Sequence, residues 1–202
     1  MRLLLTNSNV DFASMENEHR SKWEHLIHLE LDKLIRRKSG PAQSYLIEIK
    51  GRLPILLIAK PSELRKAKSE LELFRAKIPK QFHNALTKRL LKIFDYDGFV
   101  SSYLPHWGAY KFTEMLNVNA CVYCNRLFTF TLDRVDQARR LKKNKAVKLK
   151  LKDIDSARTR PELDHFYPKD QYPYLALSLY NMIPSFPDQL NLVVVLCFAA
   201  LL

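Results

Sequence analysis

Residues 160–169 read RPELDHFYPK, and residues 175–185 read LALSLYNMIPS. In the first stretch Asp164 and His165 are adjacent, so on a strand their side chains point to opposite faces. They converge on one group only where the backbone turns, and Pro168 makes a turn plausible. Taken alone, the pair is more often a surface acid beside a half-buried histidine.

The second stretch places Asn181 after an apolar run and shortly before Pro184. This arrangement indicates a loop position ahead of a helix, where an asparagine is usually a turn residue or a cap. Neither stretch specifies a chemical function by itself.

Upstream, residues 121–132 read CVYCNRLFTFTL, which predicts a cysteine knuckle followed by a strand. Thiolates at the spacing of Cys121 and Cys124 can bind one zinc ion from a tight turn. Redox chemistry would need the pair at a helix N-terminus after a strand. Two ordinary core cysteines remain an alternative.

The first 115 residues have mainly helical periodicity, with Ser14 as a candidate cap and Gly40-Pro41 as a stop signal. Residues 45–59 predict either a hairpin or a bent segment, because Gly51 and Pro54 interrupt the apolar runs. Further helices are predicted after Ser62 and over about 80–94. The chain is therefore expected to be α+β, with a helical region at 1–115 and a second region at 116–202.

The net charge of +12 predicts a polyanionic partner, which is nucleic acid, an acidic membrane surface or an acidic protein. Residues 134–160 are the most basic stretch, with eleven Lys or Arg residues against three Asp residues. A solvated loop is the alternative interpretation of this basic insert. We expect a cytoplasmic protein without a membrane partner, because no secretory signal or membrane-spanning stretch is evident.

Together, the order C-x-x-C, D-H-F-x-P and Y-N-x-I-P-S resembles the HNH endonuclease family over roughly 115–185. It is most similar to bacterial HNH proteins of the Septu and retron type, some of which accompany an ATPase in anti-phage defence. The resemblance implies a ββα-metal unit after the helical half, and a metal-dependent nuclease that cuts DNA, expected to be double-stranded.

The resemblance also implies roles for individual residues. His165 is expected to be the general base, Asp164 a ligand of Mg²⁺ or Mn²⁺, and Asn181 either a ligand or the group that orients the histidine. Cys121 and Cys124 are expected to hold a structural zinc. The residues expected to grip DNA phosphates are Arg139, Arg140, Lys142, Lys143, Lys145, Lys148, Lys150, Arg158, Arg160 and Lys169.

The match stops after Ser185. The family's second C-x-x-C is absent, and Phe186 and Gln189 stand in its place before an apolar ending, so the atypical tail is 186–202. The abrupt change suggests a truncated or frame-shifted end. The zinc site is then expected to be incomplete or to recruit water or a histidine such as His106. Two alternatives follow: a catalytically inactive remnant that binds nucleic acid or a partner, and a zinc module that acts only through protein contacts.

Overall fold

A computed structural model describes residues 10–123, 129, 131–133 and 158–186 of the chain. These residues form helices and a few short strands, with helices predominating, which confirms the α+β prediction at this coarse level. The finer prediction of a zinc knuckle and a ββα-metal unit stays a prediction. Cys124, Gln189, the tail at 187–202 and most of the basic insert lie outside the described residues.

The α-helices of the described residues are α1 (Phe12–Ile35), α2 (Gly40–Gly51), α3 (Leu53–Ile58), α4 (Pro61–Arg75), α5 (His83–Ile93), α6 (Tyr96–Val100) and α7 (Ala109–Leu116). Short 3₁₀ turns cover Lys80–Phe82, Pro173–Leu175 and Leu179–Asn181. The strands are β1 (Leu132–Asp133), β2 (Arg158–Thr159), β3 (Glu162–His165) and β4 (Met182–Ser185).

Helices α1, α4 and α5 occupy regions where the sequence predicted helices, but their ends differ in detail. Asp11 caps α1 by accepting a hydrogen bond from Ser14 N at 3.0 Å, so the predicted cap at Ser14 is wrong by one turn. Gly40, with φ of 60°, and Pro41 begin α2 as well as following α1. A proline in the first turn of a helix costs no hydrogen bond, because the first N–H groups have no intrahelical partner.

The open choice for residues 45–59 resolves as helix. Residues after Gly51 continue into α3, where Pro54 occupies the first turn. Arg52 lies between α2 and α3. It pairs with Glu48 of α2 at 2.9 Å and with Glu70 of α4 at 2.8 Å, and thereby links this junction to α4. The segment is therefore bent between two helices.

The chain divides into two compact units. The helical unit contains Asp11–Ser101 and His165–Met182, and the strand unit contains the described residues of 102–164 and 183–186 together with Val10. The division predicted near residue 115 from the sequence pattern stays a prediction. Each unit has its own buried side chains and hydrogen bonds.

The core of the helical unit lies against α1, whose buried residues recur every four positions. α1 contacts α2 and α3, and α2 contacts α4. The segment from 173 to 182 is also buried in this core. The fully or almost fully buried residues of α1 are Met15, His19, Trp23, Ile27 and Leu31.

The strand unit combines α7 with the short strands. β1 and β2 pair antiparallel, with Leu132 opposite Thr159, and β3 pairs with β4. α7 ends at Asn117, which adopts a left-handed conformation with φ of 47°. Further along the chain, Thr131 contacts α7 again, where its hydroxyl donates to the Thr113 hydroxyl at 2.7 Å. None of the helices in the described residues is both long and apolar enough to cross a membrane.

His19 is the polar exception in the apolar face of α1. It is fully buried, and its Nε2–H donates to the backbone oxygen of Leu177 at 2.6 Å. Burial lowers the pKa of His19 to about 4, although the bond to Leu177 acts in the opposite direction. The folded protein therefore holds this histidine neutral at pH values where the unfolded chain protonates it.

We expect the protein to lose stability as the pH falls from about 6.5 to about 4, because the unfolded state then binds a proton that the folded state does not. The loss due to His19 is on the order of 3 kcal/mol. Urea unfolding across this pH range measures it. His19→Gln should remove this part of the pH dependence, whereas His25→Gln, at an exposed position of α1, should retain it. Identical pH profiles for the two variants would contradict the assignment.

Candidate active site

His165 is the last residue of β3 and is half-buried. Its Nε2 lies 2.9 Å from the backbone oxygen of Ala176, and the Tyr96 ring packs edge-on against the imidazole with centroids 4.6 Å apart. A carbonyl oxygen only accepts, so Nε2 must carry the hydrogen. In the neutral ring Nδ1 is then the basic nitrogen, which fixes the atom able to take up a proton.

Asn181 is fully buried and binds the backbone on both sides of its amide group. Its Oδ1 accepts a hydrogen bond from Tyr167 N at 2.7 Å, and its Nδ2 donates to Tyr167 O at 3.0 Å. Nδ2 also donates to Leu175 O at 3.0 Å. The backbone adds one link, since Phe166 N donates to Asn181 O at 3.0 Å. Asn181 thereby holds the backbone two residues after His165.

The backbone oxygens of residues 175–177 each accept a hydrogen bond from a side chain. The donors are Asn181 to Leu175, His165 to Ala176 and His19 to Leu177. Residues 175, 176 and 177 are fully buried, where an unpaired carbonyl would be costly. Tyr180 anchors the same region, because its hydroxyl donates to Glu16 Oε1 on α1 at 2.6 Å. Burial and this bond to the carboxylate raise the pKa of Tyr180.

Asp164 belongs to the strand unit, where its contacts differ from those of His165. Tyr123, between the two cysteines of C-x-x-C, donates its hydroxyl to Asp164 Oδ2 at 2.6 Å. A hydrogen bond of this length to a carboxylate is among the stronger ones in proteins. It connects the predicted knuckle to the predicted metal ligand. Cys121 itself is a fully buried free thiol.

The described side chains allow a partial test of the predicted metals. A half-buried carboxylate such as that of Asp164 is the hard oxygen ligand that Mg²⁺ or Mn²⁺ prefers. The amide oxygen of Asn181 already accepts the Tyr167 N–H, so the observed contacts favour an orienting role over a ligand role. No group of three or more His, Cys, Asp or Glu side chains that could hold a metal is found within the described ranges.

Two of the predicted DNA-gripping side chains are described. Arg160 lies over the Tyr110 ring, with its guanidinium carbon 5.5 Å from the ring centroid, and donates to Pro161 O at 2.7 Å. Lys169 Nζ is 3.7 Å from Asp170 Oδ1. Arg158 belongs to β2. The other predicted residues lie outside the described residues: Arg139, Arg140, Lys142, Lys143, Lys145, Lys148 and Lys150.

Sequence reasoning missed three residues that support this arrangement, namely His19, Tyr96 and Tyr123. For His19 a signal existed, because it lies four residues from both Met15 and Trp23 on the apolar face of α1. For Tyr96 the sequence holds no signal, since its partner is 69 positions away. Tyr123 lies within the C-x-x-C motif, but nothing in that motif points to Asp164.

Asn181→Ala should destabilise the protein by about 2–4 kcal/mol, because both backbone groups of Tyr167 lose their partner and Leu175 O keeps only the bond from Ser178 N. Urea unfolding measures the change. Asn181→Asp should also destabilise, since it keeps an acceptor for Tyr167 N but has no N–H groups. Asn17→Ala on the exposed face of α1 is the matched control and should change little. A stable Asn181→Ala variant would show that the amide does not hold this segment.

Comparison of the chain with protein-family models, with curated proteins and with solved structures gave no match. Membership of a family is therefore not established by similarity over the whole chain. What the protein does has to be inferred from its residues and from the short motif resemblance around Cys121, Asp164 and Asn181.

Proposed function

We propose that the protein is a metal-dependent endonuclease of the HNH type that hydrolyses phosphodiester bonds in DNA, with His165 as the general base. One observation carries the proposal. The hydrogen bond from His165 Nε2 to Ala176 O determines which nitrogen is basic, and the Tyr96 ring holds the imidazole edge-on. An ordinary core histidine would satisfy one carbonyl in the same way, as His19 does, but His165 is half-buried and follows an aspartate on its strand.

The proposed reaction is the attack of water on the scissile phosphorus. His165 Nδ1 takes a proton from the water as the new P–O bond forms, and the bond from phosphorus to the leaving oxygen breaks. An imidazole suits this step, because its ordinary pKa lies close to neutral pH, where a general base is most effective. The bond to Ala176 persists throughout, since Nε2 carries its hydrogen in both the neutral and the protonated ring.

Asp164 is the residue proposed to hold the divalent cation, with the Tyr123 hydroxyl fixing one of its carboxylate oxygens. When bound, a Mg²⁺ or Mn²⁺ ion supplies positive charge that offsets the charge developing on the phosphate and the leaving oxygen. Asn181 has a positioning role in this proposal. Its amide binds the backbone of Tyr167, two residues after His165, and that of Leu175, one residue before the Ala176 carbonyl that His165 contacts.

Binding of DNA is proposed to rest on the positive charge of the chain. Phosphate contacts release counterions, so the affinity should fall steeply with added salt. Among the described residues, Arg160 and Lys169 are proposed to contact phosphates. The basic insert at 134–160 is proposed to supply most of the phosphate contacts. By resemblance, the biological setting is bacterial defence against foreign DNA together with an ATPase partner, and the structural zinc at Cys121 and Cys124 belongs to the same proposal.

The direct test is cleavage of supercoiled plasmid with added Mg²⁺ or Mn²⁺. The parent protein should cleave, and His165→Ala should reduce the rate by about 100-fold or more, because general-base catalysis typically contributes factors of this size. His25→Ala is the matched control at an exposed histidine and should cleave like the parent. Omission of the divalent metal should abolish cleavage.

Equal cleavage by the parent and by His165→Ala would mean that His165 is not the base. No cleavage by a folded parent protein that still binds DNA would favour the inactive nucleic-acid-binding remnant. A folded protein that neither cleaves nor binds DNA would leave only the module that acts through protein contacts.

A further inference from the structure

Lys68 on α4 lies between two tyrosine rings of the segment that follows His165. Its Nζ is 4.8 Å from the centroid of the Tyr172 ring and 5.3 Å from that of the Tyr167 ring. The two rings contact each other at 77°, with centroids 5.9 Å apart. Aromatic faces attract an ammonium group through the ring quadrupole, so both rings hold the lysine in one position.

Among the described residues, no carboxylate neutralises the charge of Lys68. The ion pairs of α4 in the described residues join Glu70 to Arg52 and Glu72 to Arg75. In that part of the chain no carboxylate oxygen lies within 4.0 Å of Lys68 Nζ. A ring contact leaves the full positive charge and N–H groups able to donate to an anion. The half-buried side chain is thus an ordered cation.

The segment that carries the two rings is fixed at both ends within the helical unit. At one end the amide of Asn181 binds both backbone groups of Tyr167. At the other end Arg75 Nη1 donates to Gln171 O at 2.8 Å, next to Tyr172. Tyr167 is two residues after the proposed base, so the same backbone frame positions the base and the lysine.

We propose that Lys68 is a phosphate-binding residue for the DNA substrate, with Tyr167 and Tyr172 as positioning residues. This inference rests on the proposed function, because it takes DNA as the substrate. The Lys68 ammonium donates to a non-bridging phosphate oxygen of the bound strand. A lysine already ordered by two rings loses less side-chain freedom on binding than an exposed one. Because α4 ends at Arg75, before the stretch at 115–185 that carries the resemblance, the resemblance assigns no role to Lys68.

The alternative is that Lys68 only packs the 167–172 segment against α4. Salt dependence distinguishes the two roles, because each phosphate contact contributes to the slope of log affinity against log salt concentration. A packing residue changes the affinity through the fold and leaves this slope unchanged. The slope therefore reports on contact with phosphate and not on stability.

The experiment measures binding of a short fluorescein-labelled DNA duplex by anisotropy over a range of NaCl concentrations, without added divalent metal. Lys68→Met should reduce the magnitude of the slope by about one. Lys68→Arg, which keeps the charge, should retain the parent slope. Lys66→Met is the matched control, because it removes one exposed charge from another face of the same helix. Thermal unfolding confirms that each variant is folded.

A parent slope in folded Lys68→Met would overturn the phosphate contact, whatever the change in affinity. The same holds if Lys66→Met reduces the slope as much as Lys68→Met. A reduced slope only in Lys68→Met, together with a parent protein that cleaves no plasmid, would support the contact and refute the nuclease. Plasmid cleavage by the parent, together with an unchanged slope in Lys68→Met, would support the nuclease and refute the phosphate contact. A parent that binds no DNA would refute both.

Discussion

Three consecutive backbone oxygens, those of residues 175–177, are the constraint on which the helical unit around His165 depends. They are buried and belong to no strand, and each accepts a hydrogen bond from a side chain, with Ser178 N as a further donor to Leu175 O. His19 comes from α1, His165 from the end of β3, and Asn181 from the turn before β4. One short segment thereby joins α1 to the end of β3 and to the turn before β4. Loss of His165 or His19 removes the side-chain donor of Ala176 O or Leu177 O, whereas Leu175 O also accepts a hydrogen bond from Ser178 N at 3.1 Å.

The same constraint has chemical consequences, because it determines the tautomer of each histidine. Both rings donate through Nε2 to a carbonyl, but their environments differ. His19 is fully buried and has a lowered pKa, so it stays neutral and serves the fold. His165 is half-buried beside Tyr96, and in our proposal it acts as the general base. The contrast explains how one type of hydrogen bond serves stability at one histidine and, in our proposal, catalysis at the other.

Much of the helical half was predictable from the sequence, because helical periodicity is local. The apolar face of α1 and the stripe of Leu64, Ala67 and Leu71 in α4 are read directly from residue spacing. Residues 45–59 were not decided by pattern, since a glycine and a proline interrupt a strand and begin a helix equally well. Pro54 fits the helix because it occupies the first turn, where its missing N–H costs nothing.

The candidate site was predictable only where a short motif names its residues. The motif supplied Asp164, His165 and Asn181, and it left the role of Asn181 open between ligand and support. The contacts of Asn181 with Tyr167 and Leu175 form across an irregular segment, so no periodicity in the sequence predicts them. The same is true of Lys68, whose position between Tyr167 and Tyr172 depends on how α4 packs against a distant turn.

The central claim is that Ala176 fixes His165 with a hydrogen on Nε2 and leaves Nδ1 as the basic nitrogen. Nitrogen-15 NMR of protein labelled at the histidine rings tests it most directly, with His165→Gln used to assign the signals. At a pH where the ring is neutral, His165 should show a protonated Nε2 and an unprotonated Nδ1. A neutral His165 with its hydrogen on Nδ1, or an even mixture of the two tautomers, would contradict the account.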